Sequence, residues 1–272
     1  MQSWIIGLLM LPFSVFAGER VIAIGGDITE IIYALGAQQT LVARDSTSQQ
    51  PPQASELPNV GYMRQLNAEG ILAMKPTLVI ASELAQPSLA LQQVEQAGVN
   101  VVTVTGKPEL GVINQKIAVI AATLGRVAEG QILQAELERQ IAAVPTRPLP
   151  VRVLFIMAHT GITAMGAGNG TAADGAIRSA GLENAMAGVA RYQSLTQEGL
   201  VAAAPQLLVI GKASLQRLGG ETNLWTLPGL AFTPAGQQRR LLVIDDNALL
   251  SFGLAMPTAI GQLRQAAQAV MP

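Results

Sequence analysis

The sequence contains no cysteine among its 272 residues. This absence excludes disulfides, thiolate metal sites and a thiol nucleophile, and it leaves no cysteine to carry a lipid. Histidine occurs once, which is too few for the usual zinc site built from several His, Cys or carboxylate ligands. Charged residues are scarce and balanced, with 17 basic and 18 acidic side chains and no basic block. We therefore expect neither nucleic acid nor an anionic membrane surface as a partner.

Motifs of enzymes are also missing. No G-x-S-x-G elbow is present, and a catalytic triad would have to use the only histidine. The glycine-rich segment 166–175, GAGNGTAADG, fits neither a P-loop nor a dinucleotide-binding turn. We interpret it as a flexible loop at the rim of a cleft. The sequence predicts neither a hydrolase nor a bare-metal site, and no catalytic residue is assigned.

The first 17 residues are typical of an export signal. Trp4 to Phe16 is an uncharged apolar run, and Ala17 ends a small-residue pattern suited to signal peptidase. A retained membrane anchor is the alternative, but the run is shorter than the roughly 20 residues that a spanning helix needs. An exported chain with neither anchor nor disulfide predicts a free protein of a bacterial periplasm, most simply a monomer.

The chain contains a long internal repeat. Residues 61–80, GYMRQLNAEGILAMKPTLVI, return in related form at 191–210 as RYQSLTQEGLVAAAPQLLVI, in which the Tyr-to-Glu spacing is one residue shorter. Both copies run from a Tyr through Glu-Gly and a short helical segment to a Pro and an apolar strand, and the spacing from Glu to Pro is identical. A repeat at about half the chain length predicts two similar lobes. Clefts between lobes are common sites for small ligands.

Alternating strand and helix patterns predict an α/β fold of two Rossmann-like lobes with mainly parallel sheets and a ligand cleft between them. The N-terminal lobe is expected over 18–125 and the C-terminal lobe over 149–272. Residues 126–148 are expected to form one long connecting helix and a linker, because apolar residues recur at helical spacing until a run of prolines. A single helical connection favours only a small opening and closing motion.

Two local predictions in the first lobe can be checked directly. Residues 38–60 are polar and proline-rich, which predicts a loop. Asp27 or Thr29 is expected to cap the first helix, since both residue types favour that position.

Three side chains remain as candidates for ligand binding. Tyr62 follows Gly61 in a predicted loop, and a tyrosine phenolate is a hard ligand suited to ferric iron and to the axial position of haem. A phenol is neutral at neutral pH, so ligation as phenolate needs the charge of the metal and of a nearby cation such as Arg64. His159 lies just past the carboxyl end of a predicted strand, where open α/β sheets bind ligands. Without further information, each residue is equally well explained as an ordinary loop side chain.

Glu69 and Glu198 occupy the same place in the two copies, at the start of a short helix. A carboxylate there is favoured by the helix dipole, which is a sufficient structural reason. The functional alternative is that two matching acids, one in each lobe, form docking points for a two-fold symmetric partner.

The Gly-Tyr-x-Arg-x-Leu-x-x-Glu-Gly pattern of residues 61–70 resembles the periplasmic haem-binding proteins of bacterial haem ABC importers, within the cobalamin and siderophore type of binding protein. The resemblance runs through the whole mature chain. It implies that Tyr62 is an axial ligand to haem iron and that Arg64 supports the phenolate or a propionate. It also implies that Glu69 and Glu198 meet arginines of an ABC permease dimer. Tyr192 lacks the preceding Gly and the following Arg and is not assigned as a ligand.

The resemblance implies a transport protein for haem and not an enzyme, but it leaves two questions open. His159 either completes the ligation of one haem from the second lobe or ligates the second of two stacked haems. The alternative cargo is a ferric siderophore or cobalamin. Tyr62 with Arg64 favours haem, because a siderophore site needs several cations for an anionic complex.

Overall fold

A computed structural model describes residues 18–145, 147–158 and 164–271. The predicted signal segment and His159 lie outside the described residues. The first part of the chain contains β1 (Val21–Ile24), α1 (Gly26–Ala34), β2 (Leu41–Arg44), α2 (Ala68–Ala73), β3 (Leu78–Ser82), α3 (Leu89–Gln96) and β4 (Asn100–Val104). Two helices follow, α4 (Leu110–Thr123) and α5 (Val127–Ala142).

The second part of the chain repeats the alternation of strands and helices. Its elements are β5 (Arg152–Met157), β6 (Met165–Ala167), α6 (Ala172–Ser179), β7 (Glu183–Asn184), β8 (Tyr192–Ser194), α7 (Gln197–Ala203), β9 (Leu207–Gly211), α8 (Lys212–Arg217), α9 (Glu221–Leu224), α10 (Pro234–Gln237), β10 (Leu241–Ile244), α11 (Asp246–Leu250) and α12 (Met256–Ala269). None of the helices in the described ranges is both long and apolar enough to span a membrane.

The strands form two separate sheets, one in each lobe. The first sheet has the order β2–β1–β3–β4 and is parallel throughout. The second has the order β10–β9–β5–β6–β8, with the short β7 also paired to β5. β10, β9 and β5 are parallel, whereas β6 pairs antiparallel with both β5 and β8. The predicted two-lobed α/β fold with mainly parallel sheets is confirmed, and the second sheet is mixed at one edge.

One hydrophobic core is shared by the two lobes. Side chains alternate along a strand, so Val21 and Ala23 of β1 enter this core while Ile22 enters a separate cluster on the other face of the first sheet. In β5, Val153 and Phe155 enter the same shared core. The core also contains apolar residues of α4, α5, α6 and α12. Rigid separation of the lobes would expose this common core, which supports the expectation of a small opening motion.

Two local predictions are wrong. Residues 38–60 include β2, whose residues 41 and 43 are buried while 42 and 44 are half-buried, so the segment is not simply a loop. Neither Asp27 nor Thr29 caps α1. The Thr29 hydroxyl donates to Ser48 Oγ at 2.7 Å, and Asp27 pairs with a lysine distant in the sequence.

The glycine-rich segment also differs from the predicted loop, because its first part forms β6. Gly166 and Ala167 are buried in this strand. A Cβ on Gly166 would lie 2.1 Å from the Met186 sulfur, so this glycine permits close packing. Only the turn that follows, over 168–170, resembles the predicted loop before α6 begins. Thr171 caps α6, because its hydroxyl oxygen accepts a hydrogen bond from the Asp174 amide.

Candidate functional site

Tyr62 lies in the loop between β2 and α2, and its backbone is fixed on both sides. The Ser46 amide donates to the Gly61 carbonyl at 2.8 Å, and the Gln65 amide donates to the Tyr62 carbonyl at 2.7 Å. Gly61 has φ of 104°, a conformation that residues with a side chain rarely adopt. The Tyr62 side chain is 44% exposed. The loop thus presents an accessible phenol on a backbone that is held in place.

Tyr192 occupies the corresponding place in the second lobe. It begins β8 and pairs with Ala167 of β6. Arg191, the residue before it, also has positive φ, 63°, like Gly61 before Tyr62. The repeat therefore preserves a positive φ at the residue before the tyrosine, although the glycine itself is absent.

The two tyrosines and Arg64 lie near one another. The pKa of Tyr192 is raised to about 12, mainly by burial and to a smaller extent by the nearby Tyr62. The positive charge of Arg64 opposes this shift, as does the hydroxyl of Thr171. Such electrostatic effects weaken with distance, so Tyr62 and Arg64 of the first lobe lie near Tyr192 of the second. Sequence reasoning did not select Tyr192, and its place in the repeat was the signal that could have identified it.

Arg64 is exposed two residues beyond Tyr62. Within the described ranges it forms no ion pair with a carboxylate. Its charge is therefore available to a phenolate or to an anionic group of a ligand.

Metal coordination by several protein side chains has no basis in this cleft. In the described part of the chain, no group of three or more His, Asp or Glu is arranged to hold a metal ion. An iron that arrives already coordinated by a porphyrin needs only one or two axial ligands from the protein. His159, the second predicted ligand, lies outside the described residues.

Glu69 and Glu198 lie in the first turns of α2 and α7. Both helices are capped by a side chain: Asn67 accepts a hydrogen bond from the Gly70 amide, and Thr196 accepts one from the Gly199 amide. Both glutamates are exposed.

The two acids follow the tyrosines of the repeat at similar separations in the sequence. Glu69 follows Tyr62 by seven residues and Glu198 follows Tyr192 by six. Neither glutamate forms an ion pair with another described residue. Among the described residues, the two lobes therefore each carry one exposed and unneutralised carboxylate at the start of the repeated helix.

A second polar cluster joins the lobes away from these tyrosines. Lys116 of α4 is buried and pairs with Asp27 at 2.5 Å. Its ammonium also donates to the carbonyls of Ser251 and Phe252, at 3.2 and 3.1 Å, at the end of α11. A cation is favoured where a helix ends with free carbonyls. Lys116 thus attaches the first lobe to the segment between α11 and α12 of the second.

Glu30 lies in the same cluster. Its pKa is raised from 4.5 to about 7, mainly by burial and also by the negative charges of Asp27 and Asp245, while the Leu254 amide and Lys116 act in the opposite direction. Its Oε2 atom is shielded from solvent and has no hydrogen-bond partner among the residues that the structure describes. A cavity of about 620 Å³ opens beside it; its lining includes Tyr33, Gln50, Asp245 and Leu254, but not the residues around Tyr62.

Solved structures resemble the chain over nearly its whole length. The periplasmic heme-binding protein RhuT from Roseiflexus sp. RS-1, in its apo form, is 39% identical with a TM-score of 0.86, over 93% of this chain and 100% of RhuT. The periplasmic heme-binding protein BhuT, in complex with two hemes, is 40% identical with a TM-score of 0.86, over 93% of this chain and 98% of BhuT.

Curated relatives match a shorter part. The vitamin B12-binding protein of Pectobacterium carotovorum subsp. carotovorum (strain PC1) is 33% identical over 104 residues. This match spans 38% of the chain and 38% of that relative, a little over a third of its length. The family model described as periplasmic binding protein matches residues 21–248. The chain belongs to the periplasmic binding protein family.

Proposed function

We propose that this chain is a binding protein, not an enzyme, that carries haem in the cleft between its lobes and delivers it to an inner-membrane ABC permease. The observation that carries the proposal is the exposed Tyr62 phenol on its fixed loop, with Arg64 beside it and Tyr192 opposite. In this proposal Tyr62 is the axial ligand to ferric iron. RhuT and BhuT are heme-binding proteins that are similar to this chain in sequence and fold, which supports the choice of cargo.

Arg64 has two roles in the proposal. Its positive charge stabilises the phenolate form of the ligand, and it pairs with a haem propionate. Most of the binding free energy comes from apolar contact with the porphyrin. A ligand of about 43 non-hydrogen atoms at roughly 0.3 kcal/mol per atom has a ceiling of about 13 kcal/mol, close to a nanomolar dissociation constant.

His159 is part of the proposal because it follows the carboxyl end of a predicted strand in the sequence. It either provides the second axial ligand to one haem or ligates the second of two stacked haems. BhuT, which binds two hemes in its solved complex, makes the two-haem arrangement worth a direct count.

A haemin titration followed by absorbance tests the cargo and its ligand. We expect a saturable ferric tyrosinate spectrum in the wild type, lost in Tyr62→Phe and retained in Tyr33→Phe, a matched control on α1. Tyr192→Phe is expected to keep the spectrum, and His159→Ala shows whether the histidine ligates iron. The equivalence point counts the haems. A Tyr62→Phe variant with the wild-type spectrum would refute the assignment of the ligand.

Cobalamin is the second candidate, because a vitamin B12-binding protein is among the curated relatives. Titration with cyanocobalamin under the same conditions separates the two cargoes. Saturable binding of cyanocobalamin with no spectral response to haemin would show that the cargo is cobalamin and not haem. The assignment of the fold would be unchanged.

Delivery to the permease is tested with Glu69→Gln/Glu198→Gln. We expect this double variant to bind haem normally and to lose haem import by a reconstituted ABC transporter. The exported, periplasmic location is tested by fractionation of cells that express the full chain. Recovery only in the cytoplasm would contradict it.

A further inference from the structure

Two large apolar side chains are unusually exposed, and they occupy corresponding places in the two lobes. Leu89 is 70% exposed and Phe232 is 67% exposed. Leu89 is the first residue of α3, which leads into β4, and Phe232 lies two residues before α10, which leads into β10. β4 and β10 each pair in parallel with the strand that follows the repeated Glu-Gly helix.

Each apolar side chain belongs to an element that packs beside a glutamate-bearing helix. In the first lobe α3 packs against α2, which carries Glu69. In the second lobe the short helical turn Leu230–Phe232 packs against α7, which carries Glu198.

The contact in the second lobe is tight. A Cβ on Gly229 would lie 2.6 Å from the Gln197 carbonyl oxygen, so the backbone of this turn rests directly on the start of α7. Leu230 is fully buried and anchors the turn, which leaves Phe232 exposed beside the helix. Val201 of α7, 44% exposed, adds apolar surface on the same helix.

We infer that Leu89 and Phe232 are apolar contact points for the permease dimer, one beside each docking glutamate. The inference rests on the proposed function and adds to it. A partner with two-fold symmetry presents the same surface twice, and this chain offers it the same pair twice: an unneutralised carboxylate and an exposed apolar side chain. The matching surface on the permease is a cationic group next to an apolar pocket.

The chemistry of such a pair explains why the apolar member matters. An exposed carboxylate at an interface contributes mainly to the association rate and to orientation. Large apolar and aromatic side chains that become buried contribute most to the lifetime of a complex, because they remove more apolar area from water. The glutamates alone would then give fast but short-lived docking.

The experiment compares Leu89→Ser/Phe232→Ser with the wild type, both loaded with haem. Binding is measured by surface plasmon resonance to a haem ABC permease with its ATPase subunits in lipid nanodiscs. Ile132→Ser is the matched control, because Ile132 is 71% exposed on α5, outside both clusters. We expect the double serine variant to dissociate roughly tenfold faster or more and the control to behave as the wild type.

The haemin titration of the same variants separates failure of the inference from failure of the proposed function. If the double variant binds haem and docks with the wild-type dissociation rate, the inference is wrong and the proposed function stands. An equally large increase in the dissociation rate of Ile132→Ser also overturns the inference, since any exposed apolar residue would then contribute to docking. If the wild type binds haem but does not bind the permease, both the proposed docking and this inference are wrong. If it binds no haem, the cargo proposal fails.

Discussion

Replacing Glu30 by glutamine should change how the stability of this protein depends on pH. The carboxyl lies between the lobes, with one oxygen shielded from solvent and unpaired. Its pKa is about 7 in the folded protein, mainly because of burial, against an ordinary value of 4.5. The charged groups that face it are Asp27 on its own helix, Lys116 from α4 and Asp245 from the second lobe.

The sign and size of the effect follow from proton linkage. Between pH 4.5 and about 7 the folded protein retains a proton on Glu30 that the unfolded chain has released. The stabilisation is fully present below pH 4.5 and is lost as the pH rises to about 7. The difference between the pKa values of Glu30 in the folded and unfolded states changes the free energy of unfolding by about 3 kcal/mol.

The assay is urea unfolding followed by circular dichroism at intervals from pH 4.5 to 8, at constant ionic strength. We expect Glu30→Gln to match the wild type near pH 4.5 and to be more stable at pH 8 by up to about 3 kcal/mol. Glu95→Gln, at an exposed position of α3, is the control and should follow the wild-type curve. If the difference between Glu30→Gln and the wild type does not change with pH, the reasoning is refuted.

Two further substitutions test contacts that hold the lobes and the cleft. Lys116→Met should lower the free energy of unfolding by about 3–5 kcal/mol, because it leaves buried Asp27 without its partner. The double variant Asp27→Asn/Lys116→Met should recover part of that loss in urea unfolding. An equal loss of stability in the single and the double variant would contradict this account. Gly168→Ala should cost about 1–3 kcal/mol, because the new Cβ would lie 2.3 Å from the Val189 carbonyl oxygen and 2.7 Å from that of Arg191; an unchanged thermal midpoint would contradict it.

The repeated stretch was the part of the fold most accessible from the sequence. Its two short helices and the following strands lie where the pattern predicts. Even the residues before the two prolines agree in conformation: Lys75 has φ of 49° and Ala204 has φ of 42°. Local spacing determines such features, because a cap, a turn and a strand depend on residues a few positions apart.

Features that depend on distant residues were not predictable in this way. Lys116 and Asp27 are 89 residues apart, and nothing in either local sequence indicates their contact. From the sequence alone, Gly166 resembles a loop residue. The position requires a small residue because Met186, from another segment, packs closely against it. The lobe interface around Glu30 was missed for the same reason.

The two tyrosines of the repeat also illustrate how equivalent positions acquire different chemistry. Tyr62 is accessible in a loop with Arg64 two residues away, whereas Tyr192 is half-buried at the start of a strand. The rise in the pKa of Tyr192 from 10.0 to about 12 disfavours its phenolate by about 3 kcal/mol. An anionic ligand for ferric iron is therefore expected from the first lobe, while Tyr192 keeps its proton and can donate a hydrogen bond into the cleft. The duplicated backbone turn places a phenol on each side of the cleft, but the surroundings of each phenol determine which one can bind a metal.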